Sequence, residues 1–113
     1  MDKRNLIGGN FEPQRPPRYA YRADLEIEWG SARLRGKTRD ISANGMFIEA
    51  VDTLWVGAGF RAKLALDPPV AVDCLVRRIE PGRGMGVTVT AAPEHGEDRY
   101  QQLVATLSKD TGG

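Results

Sequence analysis

The 113 residues include one cysteine and one histidine. A single cysteine, Cys74, excludes an internal disulfide, and its place in an apolar run reads as a small buried hydrophobe in a reducing compartment. One His, one Cys, no metal-ligand cluster and no phosphate loop carrying lysine leave no constellation for catalysis. The expectation is therefore a protein that is not an enzyme, with no catalytic residues, no metal and no cofactor. Charge of either sign is also missing in excess: 16 basic against 15 acidic residues give a net charge of +1. A general nucleic-acid binder would show a broad basic surplus. Three Phe, three Tyr and two Trp at that charge are a poor basis for a single-stranded RNA platform, so neither DNA nor RNA is expected as a partner. No apolar run approaches the ~20 residues of a membrane span. The opening Met1 to Gly9 lacks the apolar core of a signal peptide, so the expected location is cytoplasmic, without membrane insertion. What remains is ordinary for one globular domain: 41% hydrophobic and 27% charged residues, in a chain long enough for a single core.

Residues 1–14 hold Gly8, Gly9 and Pro13 with scattered charges and no periodicity, and read as a flexible arm. From Asp24 the pattern becomes strict alternation, with Leu25, Ile27 and Trp29 on one face and Asp24, Glu26 and Glu28 on the other. Gly30-Ser31 fits a two-residue turn. Folding back there sets Trp29 against Ala32, Glu28 against Arg33, Ile27 against Leu34, Glu26 against Arg35 and Asp24 against Lys37. Every outer pair is then acid against base, which penalises a register slip. Continued alternation would turn Ile41 outward, so the phase must shift, and Gly36 is the expected site of a bulge. Asn44-Gly45 signals another tight hairpin returning into Met46 to Ala50. Strands follow at Phe60 to Leu66, Val70 to Ile79 and Met85 to Val89. Six short antiparallel strands predict an all-β, six-stranded barrel. Pro93, then Tyr100, Leu103, Val104 and Leu107 at helical spacing, predict a C-terminal α-helix packed on it, with a frayed end at 109–113. The single histidine, His95, falls at the start of that helix and reads as exposed, without a special role.

Two short motifs stand out. Arg18 and Arg22, four apart after Pro17, offer two planar forks of donors suited to phosphate oxygens and flat bases. The ladder continued from the hairpin sets Arg22 opposite Arg39 and beside Asp40, uniting the two motifs. Asp40 is a carboxylate able to accept the paired N–H donors of a guanine edge. Ser42 can donate to a phosphate, and Gly45 permits a tight turn. Arg15, three residues before Arg18, is an additional candidate for the basic cluster.

RxxxR at Arg18–Arg22, followed by DxSxxG at Asp40–Gly45, resembles the pattern of PilZ domains, bacterial receptors for the second messenger cyclic di-GMP. The resemblance covers about residues 15 to 108 and extends to Pro17, Ile41 and the strand at Gly84 to Val87. It implies a signalling module in which Arg18 and Arg22 meet phosphate and base, Asp40 holds a guanine edge, Ser42 reaches a phosphate and Gly45 lets the turn come close. It also implies a downstream protein partner to receive the signal. The segment through Arg22 is expected to become ordered only with ligand, since its arginines would gain partners from phosphate. The alternative within the resemblance is a PilZ-like adaptor that binds a protein and no nucleotide.

Overall fold

A computed structural model describes residues 16–91 and 96–112. The expected arm at 1–14, Arg15, Pro93 and His95 lie outside the described residues. The strands are β1 (Tyr19–Ala20), β2 (Asp24–Trp29), β3 (Ala32–Ile41), β4 (Gly45–Glu49), β5 (Gly59–Leu64), β6 (Val70–Glu80) and β7 (Gly84–Ala91), followed by α1 (Gly96–Gly112).

The charge alternation of β2 and β3 forms as the sequence implies, in the register Asp24↔Lys37, Glu26↔Arg35, Ile27↔Leu34, Glu28↔Arg33 and Trp29↔Ala32. Gly30 takes the left-handed φ of 59° that such a two-residue turn requires. β3 is ten residues long, and its length closes the barrel: it pairs with β2 over its first half and with β4 and β1 over its second. The circuit runs β3-β2-β5-β6-β7-β4 and back to β3, six antiparallel strands with β1 as a short addition. Closure leaves no long unpaired edge.

The phase of β3 does shift, at Arg39 and not at Gly36. The β3–β4 register breaks between Thr38 and Asp40, so Thr38 and Ile41 both point inward and are fully buried. Gly36 stays in register with Leu25, and a Cβ there would lie 2.8 Å from the Ile48 side chain and 3.0 Å from the Glu49 carbonyl. The missing side chain serves close approach of β4, not a bulge. Asn44-Gly45 likewise forms no two-residue turn. Ile41 pairs with Met46 around the four residues 42–45, closed by Ser42 N–H donating to the Gly45 carbonyl at 2.8 Å.

Inside the barrel, Ile27, Ile41, Met46, Ile48, Ala62, Leu64, Val72 and Met85 are wholly buried. Each removes apolar surface from water, at about 1.5 to 3 kcal/mol for the larger side chains. Cys74 joins this core, and burial, reinforced by Asp73, pushes its thiol up to about 12, so it is a packing residue. Trp29, expected inside, projects from the barrel end and meets Trp55 edge-on at 5.0 Å, since the strand ends there. Helix α1 lies against β6 and β1, with Tyr100 and Val104 on the core and the Arg99 guanidinium donating to the carbonyls of Pro68 and Pro69. The helix continues to Gly112, into the segment expected to fray. No helix among the described residues is long and apolar enough to cross a membrane.

Candidate functional site

The two motifs meet because β1 adds to the far end of β3, placing Ala20 opposite Asp40 and Tyr19 opposite Ile41. This register is one residue off the simple continuation of the β2–β3 ladder. Between Asp24↔Lys37 and Ala20↔Asp40 the three residues 21–23 face only two on β3, 38 and 39, so the extra residue lies in the 21–23 segment. The arginine beside Asp40 is therefore Arg18, not Arg22. Arg18 donates through Nη2 and Nε to Asp40 Oδ1 at 2.6 and 2.7 Å, and Arg39 Nε donates to Oδ2 at 3.0 Å. Both carboxylate oxygens are thus occupied. Partial burial works against the Asp40 charge, but hydrogen bonds from Arg39 and Arg18 outweigh it and hold the carboxyl below its usual range.

Arg22 takes a different acid. The buried Thr38 hydroxyl accepts from Ala23 N–H at 2.8 Å and donates to the Tyr21 carbonyl, while Tyr21 N–H donates to the Arg39 carbonyl. Held on both sides, Arg22 reaches across to Glu49 on β4, Nη2 to Oε1 at 2.8 Å. That hydrogen bond holds Glu49 below its usual range. Residues 19–22 lie against the barrel through these contacts. Tyr19 and Tyr21 pack on the core, and Arg18 and Arg22 are paired with Asp40 and Glu49.

Beside Arg22 runs an open cleft of about 810 Å³, lined by Arg22, Arg35, Gly36, Lys37, Arg39, Glu49, Ala50, Val51, Gly82 and Arg83. Five cations face one carboxylate there. Such a wall favours a small dianion. Arg39 links the cleft to Asp40, so phosphate chemistry and a carboxylate that accepts paired donors are contiguous.

Ser42 and Gly45 differ from expectation. Ser42 is 2% exposed, and its hydroxyl accepts from Asn44 N–H at 3.2 Å and lies 3.4 Å from the Gly45 carbonyl. It is engaged in the turn and does not face solvent. A Cβ on Gly45 would sit 2.1 Å from the Val87 carbonyl, so this glycine lets β4 lie against β7. The turn is held from below by Tyr100, whose hydroxyl lies 2.8 Å from both the Ser42 and Gly45 carbonyls. Burial pushes that phenol up, keeping it a donor. Tyr100→Phe should lower stability by about 1 to 3 kcal/mol, because the one phenolic hydrogen shared by two buried carbonyls is lost, while the Gly45 carbonyl keeps the Ser42 N–H. Urea unfolding checks this, and an unchanged midpoint would show that the hydroxyl does not hold the turn.

Sequence reasoning missed Glu49, Thr38 and the anchoring role of Tyr100. For Tyr100 a signal existed: a tyrosine in an apolar helix stripe must find a partner for its hydroxyl. Among the described residues no group of three or more His, Cys, Asp or Glu is placed to hold a metal.

No protein with a curated description matches the sequence. Among solved structures, the fold is similar to the Bacillus subtilis inhibitor of motility MotI/DgrA, with TM-score 0.69 and 18% identity over 89% of this chain and 52% of that one. The chain thus spans about half of MotI/DgrA. It is also similar to the PilZ domain of CeSA from a cellulose-synthesizing bacterium, with TM-score 0.64 and 22% identity over 81% of this chain and 98% of that one. A third likeness is to the PilZ domain of Escherichia coli YcgR, solved with c-di-GMP, with TM-score 0.67 and 13% identity over 88% of this chain and 95% of that one. The PilZ domain family model matches residues 12–106, barrel and both motifs included, and the chain belongs to that family.

Proposed function

We propose that this chain is a bacterial cytoplasmic receptor for cyclic di-GMP that relays the signal to a protein partner. The observation that carries the reading is the storage of both RxxxR arginines on acids of one face. Arg18 rests on Asp40 and Arg22 on Glu49, beside a cleft with five cations. Binding is then an exchange of ion pairs. The ligand phosphates take Arg22 and the neighbouring cleft cations, Arg18 turns from Asp40 to the ligand, and the freed carboxylate accepts the N1–H and N2–H donors of a guanine. Ser42 and Gly45 contribute by shaping the turn that presents Asp40. Arg15 is an additional candidate by its place before Arg18.

Amide NMR shifts on adding cyclic di-GMP test the location. Changes are expected at residues 18–22, 37–49 and 78–86. Changes centred on Trp29 and Trp55, at the far end of β3, would contradict it. The exchange also predicts that Glu49→Gln binds cyclic di-GMP about twofold to fivefold tighter, the modest effect of removing an exposed competing ion pair. Calorimetry showing weaker binding would mean that Glu49 assists the ligand and does not compete with it.

A further inference from the structure

Across the outer face of the barrel, the registers Asp40↔Phe47, Phe47↔Gly86 and Gly86↔Arg78 place four residues of β3, β4, β7 and β6 in one row. Phe47 is completely buried, yet it belongs outside the inner core cluster. Two guanidinium groups cover it. Arg39 Cζ lies 3.8 Å from the ring centroid and Arg78 Cζ 5.7 Å from it. Gly86 makes this possible: a Cβ there would lie 3.2 Å from Arg78 Cγ and 3.4 Å from its Cζ and Nε, so the arginine lies along bare backbone. Glu80 braces both cations, at 3.0 Å from Arg78 Nη2 and 3.8 Å from Arg39 Nη1. The Arg78 side chain keeps 56% of its surface open; it stands next to Gly86, two row positions from Phe47 and three from Asp40, and its guanidinium reaches back over Gly86 toward the Phe47 ring.

We infer that Arg78, with Arg39 and Phe47 beneath, is a stacking platform for a planar purine base of the ligand. This rests on the cyclic di-GMP reading above and adds a base subsite to it. A flat, weakly hydrated cation held against an aromatic ring and tied by a carboxylate loses little freedom when a second flat group covers it. The Arg78 guanidinium reaches toward Phe47, whose row neighbour is Asp40, so a base spanning the row has two complementary contacts, an edge on the carboxylate and a face on the guanidinium. Covering Phe47 needs only the hydrocarbon stem and a positive charge. Stacking needs the planar fork.

That difference is the test. Cyclic di-GMP affinity is measured by calorimetry for the wild type, Arg78→Ala and Arg78→Lys, with melting temperatures recorded for all three. Lysine keeps the charge and stem but has no plane. Both variants should melt as folded proteins and bind about fivefold to thirtyfold more weakly, in the range expected for a lost base stack. Affinity retained by Arg78→Lys overturns the platform, whatever Arg78→Ala does, because charge and packing would then suffice. A wild type that fails to bind cyclic di-GMP overturns the receptor reading and the platform with it. A wild type that binds while both variants match it overturns the platform alone.

Discussion

Arg22→Ala is expected to weaken cyclic di-GMP binding by about tenfold to a hundredfold, the loss of one charge-assisted fork on a phosphate. The fold should survive, since the Arg22 side chain is 57% exposed and its ion pair is the surface contact with Glu49. Its removal also leaves Glu49 facing the ligand without a counter-charge, and that repulsion adds to the lost contact. The double variant Arg22→Ala/Glu49→Gln should therefore gain more over Arg22→Ala than Glu49→Gln gains over the wild type, the non-additivity expected of groups sharing one site. Calorimetric titration with melting temperatures alongside checks both points. Wild-type affinity in a folded Arg22→Ala protein would remove Arg22 from the site.

For Asp40 the larger expected change is in selectivity. Asp40→Asn keeps the shape but offers one acceptor where the carboxylate offers two, and its amide donors would meet the guanine N–H groups. A site built to accept paired donors then leaves groups unmatched, at about 1 to 3 kcal/mol. Adenine lacks those N–H donors, so cyclic di-AMP should be much less affected. The ratio of the two affinities is expected to narrow by about tenfold or more. If Asp40 only anchors Arg18 and Arg39, both ligands shift together and the ratio stays. The carboxyl is held below its unfolded value of 3.8, so both its ion pairs and its acceptor role are fully present at neutral pH. They are lost only as pH falls through that lower value. Affinity measured between pH 8 and 6 should show no titration attributable to Asp40.

The β2–β3 hairpin was legible because alternation and charge agreed: Glu26 faces Arg35 and Asp24 faces Lys37, and any slip would oppose apolar and charged side chains. Alternation also revealed that a phase shift must precede Ile41, but not where. Gly36 attracted the bulge because glycine tolerates one. Its true constraint is the approach of Ile48 and Glu49 from β4, a contact that exists only once the barrel closes. Glu49 was hidden for the same reason. At the end of a strand it reads as any solvent-facing acid, and its meeting with Arg22, 27 residues away, is a product of closure. Arg18 and Arg22 were found by their spacing, yet Arg22 in place of Arg18 was set beside Asp40, since the extra residue in 21–23 is invisible to period-two counting. Phe47 was not legible: in the apolar run Met46-Phe47-Ile48 nothing in the sequence says which residues face the core. Which residues cover it, Arg39 and Arg78, depends on the β4–β7–β6 register.

Calorimetric titration of the wild type and the double variant Arg18→Ala/Arg22→Ala with cyclic di-GMP addresses the central claim most directly. The expected result is saturable binding by the wild type and at least about a hundredfold weaker binding by the double variant, as two phosphate-directed forks are lost. Equal affinity in both proteins, or no binding by the folded wild type, would contradict it.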